Sequence, residues 1–133
     1  ANSFNPLIAK DDIALNRDWN CYVQTNLLRF VLTTSGGTTT FSPTSPTLSN
    51  NHWYHLAWIY DGINMYAIVN GDNISSVAKT GGITASTQPI RIATDSAAGG
   101  RFADGDIGEI YLSGVPSIPA ARRHLMTTRW RYV

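Results

Sequence analysis

The chain has 133 residues, 14% of them charged and 43% hydrophobic, with a formal net charge of +1. That length makes one domain with a core of modest depth, and no apolar run reaches the roughly 20 residues needed to span a bilayer. The single cysteine, Cys21, rules out an intrachain disulfide and with it a disulfide-stapled scaffold.

The chain begins at Ala1 rather than Met and carries no basic-then-apolar leader, as expected after loss of an initiator Met or cutting of a longer precursor. The first informative segment surrounds Trp19, with Arg17, Asp18 and Asn20 beside it and Tyr22 one step further along. An aromatic ring among amides, a carboxylate and a guanidinium is what a sugar needs. The ring covers the apolar face of the sugar, and the polar groups bind its hydroxyls. Trp19, Arg17 and Asn20 are therefore one candidate ligand site. Cys21 follows in a strand-like Asn20-Cys21-Tyr22-Val23 run and reads as a small buried hydrophobe. Ser35-Gly36-Gly37 is a turn, and the Thr-, Ser- and Pro-rich stretch from Thr38 to Pro46 reads as an edge segment or exposed loop.

Residues 52–71, His-Trp-Tyr-His-Leu-Ala-Trp-Ile-Tyr-Asp-Gly-Ile-Asn-Met-Tyr-Ala-Ile-Val-Asn-Gly, carry the strongest signal. Asp61-Gly62 and Asn70-Gly71 supply the positive φ that tight hairpin turns require, giving strand, turn, strand, turn. Along the first strand Trp53, His55, Ala57 and Ile59 share one face, and Tyr54, Leu56, Trp58 and Tyr60 the other. Large apolar groups on both faces predict a strand in the middle of a packed sandwich, with Trp53 or Trp58 buried. His52 and His55 fall on opposite faces, so they form no metal pair.

Thr94 to Arg101 is a second flexible loop. Asp95, Arg101 and the nearby Asp104 make it the other candidate ligand site. Charge then divides sharply. Residues 1–112 hold six Lys/Arg against nine Asp/Glu, whereas residues 113–133 hold Arg122, Arg123, Arg129 and Arg131 with no acid. Pro119 is placed to start a short helix over Ala120 to Met126, followed by Trp130, Tyr132 and Val133. Two readings of this tail stand. The helix packs Leu125 and Met126 onto the domain, or Arg122, Arg123, Arg129, Trp130 and Arg131 dock on an acidic neighbour such as a second copy of the chain. Nucleic acid is not an expected partner, because the acidic body repels phosphate.

The 52–71 segment resembles the central hairpin of laminin-G-like, concanavalin A-type jelly-roll domains. Pro89-Ile90-Arg91-Ile92 resembles the next strand of that family, and Phe102-Ala103-Asp104-Gly105-Asp106-Ile107-Gly108-Glu109-Ile110 its closing strand. Pro6 to Lys10 and Leu27 to Thr33 fit its earlier strands. The resemblance implies an all-β, concanavalin A-like jelly-roll sandwich of antiparallel strands over residues 1–113, with the short basic helix and tail at 114–133 packed on it or on a neighbour. The family's usual first strand, Phe-Thr-(Ile/Val)-x-x-Trp-(Val/Ile), has no counterpart in these residues, which leaves three expectations: an open edge that a neighbouring chain completes, a compact variant of the domain, or part of a longer polypeptide.

Retaining glycoside hydrolases of this superfamily use two close carboxylates on one strand. Glu109 is the sole glutamate and has Ile107 and Tyr111, not an acid, beside it on its face. Asp104 and Asp106 share a face, but at a turn, and read as a solvated pair. No Gly-x-Ser-x-Gly turn is present. The resemblance also makes Asp95 and Asp104 candidate Ca²⁺ ligands, while Gly108 stands where many relatives carry Asp, so no cofactor is assigned. The expectation is a non-enzymatic module at an extracellular surface or on a virus particle. It binds a glycan or surface polymer through its loops. The alternatives are an assembly subunit, homo-oligomeric or part of a larger array, that docks by its edge and tail, and lastly a glycoside hydrolase.

Overall fold

A computed structural model describes residues 4–12, 16–95, 101–116 and 119. The chain forms β1 (Phe4–Asp12), β2 (Asn16–Gln24), β3 (Leu27–Thr34), β4 (Gly37–Phe41), β5 (Leu56–Tyr60), β6 (Asn64–Val69), β7 (Asn73–Ala78) and the short β8 (Arg91–Ile92). All pairings are antiparallel, in a five-stranded sheet of order β4-β3-β2-β1-β8 and a three-stranded sheet of order β5-β6-β7. The tail residues Arg122, Arg123, Arg129, Trp130 and Arg131 lie outside the described residues, as does the predicted helix over Ala120 to Met126.

The turns form where the sequence supplies residues tolerant of positive φ. Gly62 (φ 92°) closes β5 to β6, and Asn70 and Gly71 (φ 52° and 79°) close β6 to β7. Asp61 stabilises the first hairpin from within: its Oδ1 accepts the N–H of Asn64 at 2.7 Å and of Ile63 at 2.8 Å, and its Oδ2 accepts the Tyr66 hydroxyl at 3.0 Å. Those donors hold its carboxyl below the usual aspartate range, the Asn64 N–H foremost. The β2–β3 turn uses Thr25 and Asn26 at φ 53° and 61°, a pair that lacks the glycine by which such turns are recognised.

Alternation fills the space between the sheets. Ile8, Cys21, Phe30 and Leu32 of the larger sheet meet Met65 of the smaller one, with Trp19, Phe41, Trp58, Tyr60 and Val77 packed around them. A second cluster joins Leu28 and Leu48 to Ala67 and Val69, flanked by Leu56 and Trp58. Cys21 is buried, and desolvation pushes its thiol far above the ordinary value, so it behaves as a hydrophobe.

Two expectations are corrected. β5 is an edge strand of the smaller sheet among the described residues, not a central one, and all five of its residues are half-buried. It also starts at Leu56, leaving Trp53 exposed outside the strand. A two-faced apolar pattern reports burial on both sides of the pleat but is silent on who lies along the hydrogen-bonding edge. The segment from Phe102 to Ile110 is likewise not a strand. Only Phe102 makes a bridge, to Thr94, and the chain beyond passes through Gly105 at φ 146°. A strand needs a neighbouring strand to take its backbone groups, and among the described residues the ladder pairing of this segment is that single bridge.

Candidate functional site

The outer face of the five-stranded sheet, away from the core, gathers most of the polar candidates. A register shift in β1 between Pro6 and Ile8 sets the faces: Phe4 pairs with Gln24 and Pro6 with Tyr22 on the outside, whereas Ile8 pairs with Cys21 on the inside. The Phe4 and Tyr22 rings stack at 4.0 Å between centroids. The Arg101 guanidinium lies over the other side of Phe4, 3.6 Å from its centroid.

Asp95 fixes that guanidinium. Its Oδ2 accepts from Arg101 Nε at 2.7 Å and pairs with Nη2 at 2.5 Å, while Oδ1 accepts the Arg101 backbone N–H at 3.2 Å. The Asp95 side chain is fully buried, whereas that of Arg101 is 41% exposed. The buried carboxylate thus holds a planar cation at the surface. Beside it the Asp104 N–H donates to Asn5 Oδ1 at 3.1 Å, its carboxylate is exposed, and the Phe102 ring is 72% exposed. Tyr22, Phe4, Asp95 and Arg101 therefore share one region on the outer face, and Asp104 adjoins it through Asn5, which pairs with the core-facing Val23 and so lies on the opposite face of β1. Asp95, Arg101 and Asp104 are legible as a loop set in the sequence. Phe4 and Asn5 are not, because only the β1–β2 register brings them there.

A second polar cluster lies further along β1 and β2. Asp18, almost inaccessible, pairs with Lys10 Nζ at 2.7 Å and accepts from Ser86 N–H at 3.0 Å and Ser86 Oγ at 2.9 Å, all at Oδ2. Lys10 Nζ also donates to Ser86 O at 2.8 Å. Asn20 Nδ2 reaches Asp11 Oδ2 at 3.4 Å, and Arg91 Nη1 donates to Asp11 O at 3.1 Å. These bonds tie the loop after β7 to the sheet. Burial alone raises the Asp18 carboxyl, but the Lys10 bond and the two Ser86 bonds outweigh it and leave it below the ordinary value.

The sign of the pH dependence follows. A group whose proton affinity falls on folding contributes stability that is present above its unfolded pKa of about 3.9 and is lost as pH drops through its folded value. The urea midpoint is therefore expected to fall between about pH 5 and about pH 2, and less steeply in Asp18→Asn. An unchanged slope in that variant would remove Asp18 as a source of acid sensitivity.

Trp19 and Asn20 do not share a site. Adjacent residues on a strand point to opposite faces; Trp19 packs on the core and Asn20 is buried on the outer face. Arg17 lies on β2, and its side chain is outside the described residues. The calcium expectation for Asp95 and Asp104 does not fit either, because the Arg101 guanidinium already occupies the Asp95 carboxylate. Among the described residues no group of three or more His, Cys, Asp or Glu is arranged to hold a metal. Asp104 and Asp106 are exposed on irregular chain, not paired on a strand, and Glu109 is exposed too. No helix among the described residues is long and apolar enough to cross a membrane.

Residues 3–116 match the family described as the concanavalin A-like lectin/glucanases superfamily, Laminin_G_3. Over 94% of its length the chain is also similar, at 18% identity and a TM-score of 0.39, to the crystal structure of an S-layer domain-containing protein from Clostridium thermocellum, and it spans 64% of that chain. No curated protein matches it.

Proposed function

Because this chain belongs to the concanavalin A-like lectin/glucanase superfamily, we propose that it is a non-enzymatic recognition module that binds a glycan or related surface polymer on the outer face of its five-stranded sheet. The observation that carries this reading is the half-exposed Arg101 guanidinium, clamped between the buried Asp95 carboxylate and the Phe4 ring. A fixed planar donor costs little side-chain entropy on binding, and hydroxyl-rich ligands reward donors that are already oriented. The exposed Phe102 ring and Asp104 carboxylate add an apolar surface and an acceptor in the same loop region. Acid–base hydrolysis finds less support, since a catalytic carboxyl pair works by unequal environments and Asp104 and Asp106 are both exposed.

The test is a glycan array probed with the full chain, followed by titration of the best ligand against Arg101→Lys and Phe102→Ala. At least a ten-fold loss of affinity is expected in each, about 1.4 kcal/mol. If no glycan is retained, or if both variants bind as the parent does, this reading fails.

A second reading, an assembly subunit, draws on the open edge of β5 and on apolar exposure. Ile90, Ile92, Phe102, Ile110, Tyr111, Leu112 and Val115 are all exposed within one stretch of the chain.

A further inference from the structure

We propose that the outer edge of β5 takes up one more β-strand, supplied by the Asp106–Ser113 segment of a second copy of this chain. The inference rests on the assembly reading above and names its contact.

The β5–β6 register shows which backbone groups are on offer. Asn70 N–H donates to His55 O at 2.8 Å and Asp61 N–H to Asn64 O at 3.2 Å. In an antiparallel ladder hydrogen-bonded pairs recur every second residue, so Ala57 and Ile59 bond to β6 as well. Leu56, Trp58 and Tyr60 then turn their N–H and C=O groups away from β6, toward an edge that no described strand occupies.

The four sheet edges differ in kind. β4 is Gly-Thr-Thr-Thr-Phe, β8 has only two residues, and β7 is Asn-Ile-Ser-Ser-Val-Ala with Lys79 directly after it. Polarity, brevity and a flanking lysine are the usual protections against edge pairing. β5, Leu-Ala-Trp-Ile-Tyr, has no charge, proline or bulge. The Trp58 indole N–H is moreover buried with no acceptor.

Among the described residues the core is also less covered near β8. Lys79 Nζ donates to Gly37 O at 2.7 Å and Thr34 Oγ1 to Thr80 O at 2.8 Å, so the end of β7 lies by the β3–β4 turn. On β5 the Tyr60 hydroxyl donates to Gly81 O beside that turn, and Trp58 and Tyr60 pack against the cluster of Ile8, Cys21, Phe30, Leu32 and Met65. Ile8 is 8% exposed, whereas its register partner Ile92, on the same face, is 54% exposed. Among the described residues the smaller sheet leaves the core face of β8 uncovered at Ile92.

The same chain carries a matching donor. Asp-Ile-Gly-Glu-Ile-Tyr-Leu-Ser, residues 106–113, belongs to no strand, and Ile110, Tyr111 and Leu112 are exposed. Ile, Tyr and Leu next to one another suit a pleated, half-buried surface. Because every copy has both the edge and the segment, reciprocal exchange closes a two-fold dimer and leaves neither edge bare.

Solution mass by light scattering and amide hydrogen exchange of the full chain, each over a wide concentration range, test this. A dimer is expected, with the Leu56, Trp58 and Tyr60 amides exchanging at least about ten-fold more slowly than in dilute monomer. Ile110→Lys/Leu112→Pro adds a charge and removes a backbone donor at two exposed positions of the segment; it is expected to stay folded and monomeric with those amides fast. A synthetic 106–113 peptide added to that variant is expected to restore their protection. A monomer at every concentration overturns both this inference and the assembly reading. A dimer whose β5 amides stay fast overturns only the strand exchange, and a monomer whose β5 amides are already slow means that the edge is filled from within the same chain.

Discussion

Replacing Leu32 by Ala is expected to destabilise the domain by about 2–5 kcal/mol. Leu32 is 1% exposed and is packed with Ile8, Cys21, Phe30 and Met65, residues from three other positions in the larger sheet and one in the smaller. Removing three carbons there forfeits their transfer free energy and leaves a void that two hydrogen-bonded sheets cannot easily close. β3 is also paired on both sides, by β2 and β4, so its backbone has little freedom to shift inward. Domains of this size are stable by roughly 5–15 kcal/mol in total, so a third or more of the margin is at stake. Equilibrium urea unfolding reads the loss as a lower midpoint at unchanged slope. The control is Thr33→Ala, the next residue, whose hydroxyl meets that of Thr38 at 2.9 Å on the exposed outer face; it is expected to cost less than about 1 kcal/mol. Equal losses in the two variants would mean that the core is not centred between the sheets as described.

Arg101→Ala is expected to cost about 1–3 kcal/mol, and adding Asp95→Asn to recover part of it. The asymmetry comes from burial. Asp95 has a fully buried side chain, whereas Arg101 reaches water, so deleting the guanidinium strands a carboxylate in a dry place while the reverse change strands nothing. The exposure of Arg101 keeps the figure below that of a wholly buried ion pair, because solvent screens its side. Phe4 loses its cationic cover in the same step, a further contribution on the order of 0.5–1 kcal/mol. A double-mutant cycle measured by thermal or urea unfolding separates the pair from its surroundings. A double variant less stable than Arg101→Ala alone would show that Asp95 is held by its backbone contact rather than by the guanidinium. This effect on stability is why the ligand test uses Arg101→Lys, which keeps the charge and gives up the planar fork.

The two β hairpins around residues 61 and 70 and the alternation of Leu56, Trp58 and Tyr60 were legible because they are local. Asp-Gly and Asn-Gly meet a φ requirement on the spot, and a period of two places every second side chain on one face. The same period separates Trp19 from Asn20, a consequence that grouping them by nearness in sequence overlooked. The turn at Thr25-Asn26 left no such mark, since neither residue is glycine. Ile107 to Leu112, with two isoleucines, a tyrosine and a leucine, has strand composition and yet forms no strand, because composition sets what a segment tolerates and not which neighbour it finds.

The sequence by itself determined the all-β class, the hydrophobic role of Cys21, the placement of the two central hairpin turns and the loop set Asp95, Arg101 and Asp104. Each follows from residue chemistry or from relations within a few positions of the chain. Only the tertiary structure decided that β5 lies at an edge among the described residues, that a register shift at Pro6 and Ile8 turns Phe4 outward to meet Tyr22 and Arg101, and that the buried Asp95 carboxylate holds the Arg101 guanidinium. Those outcomes depend on pairings between segments far apart along the chain, such as Phe4 with Arg101, and a strand's own pattern carries no label for its partner.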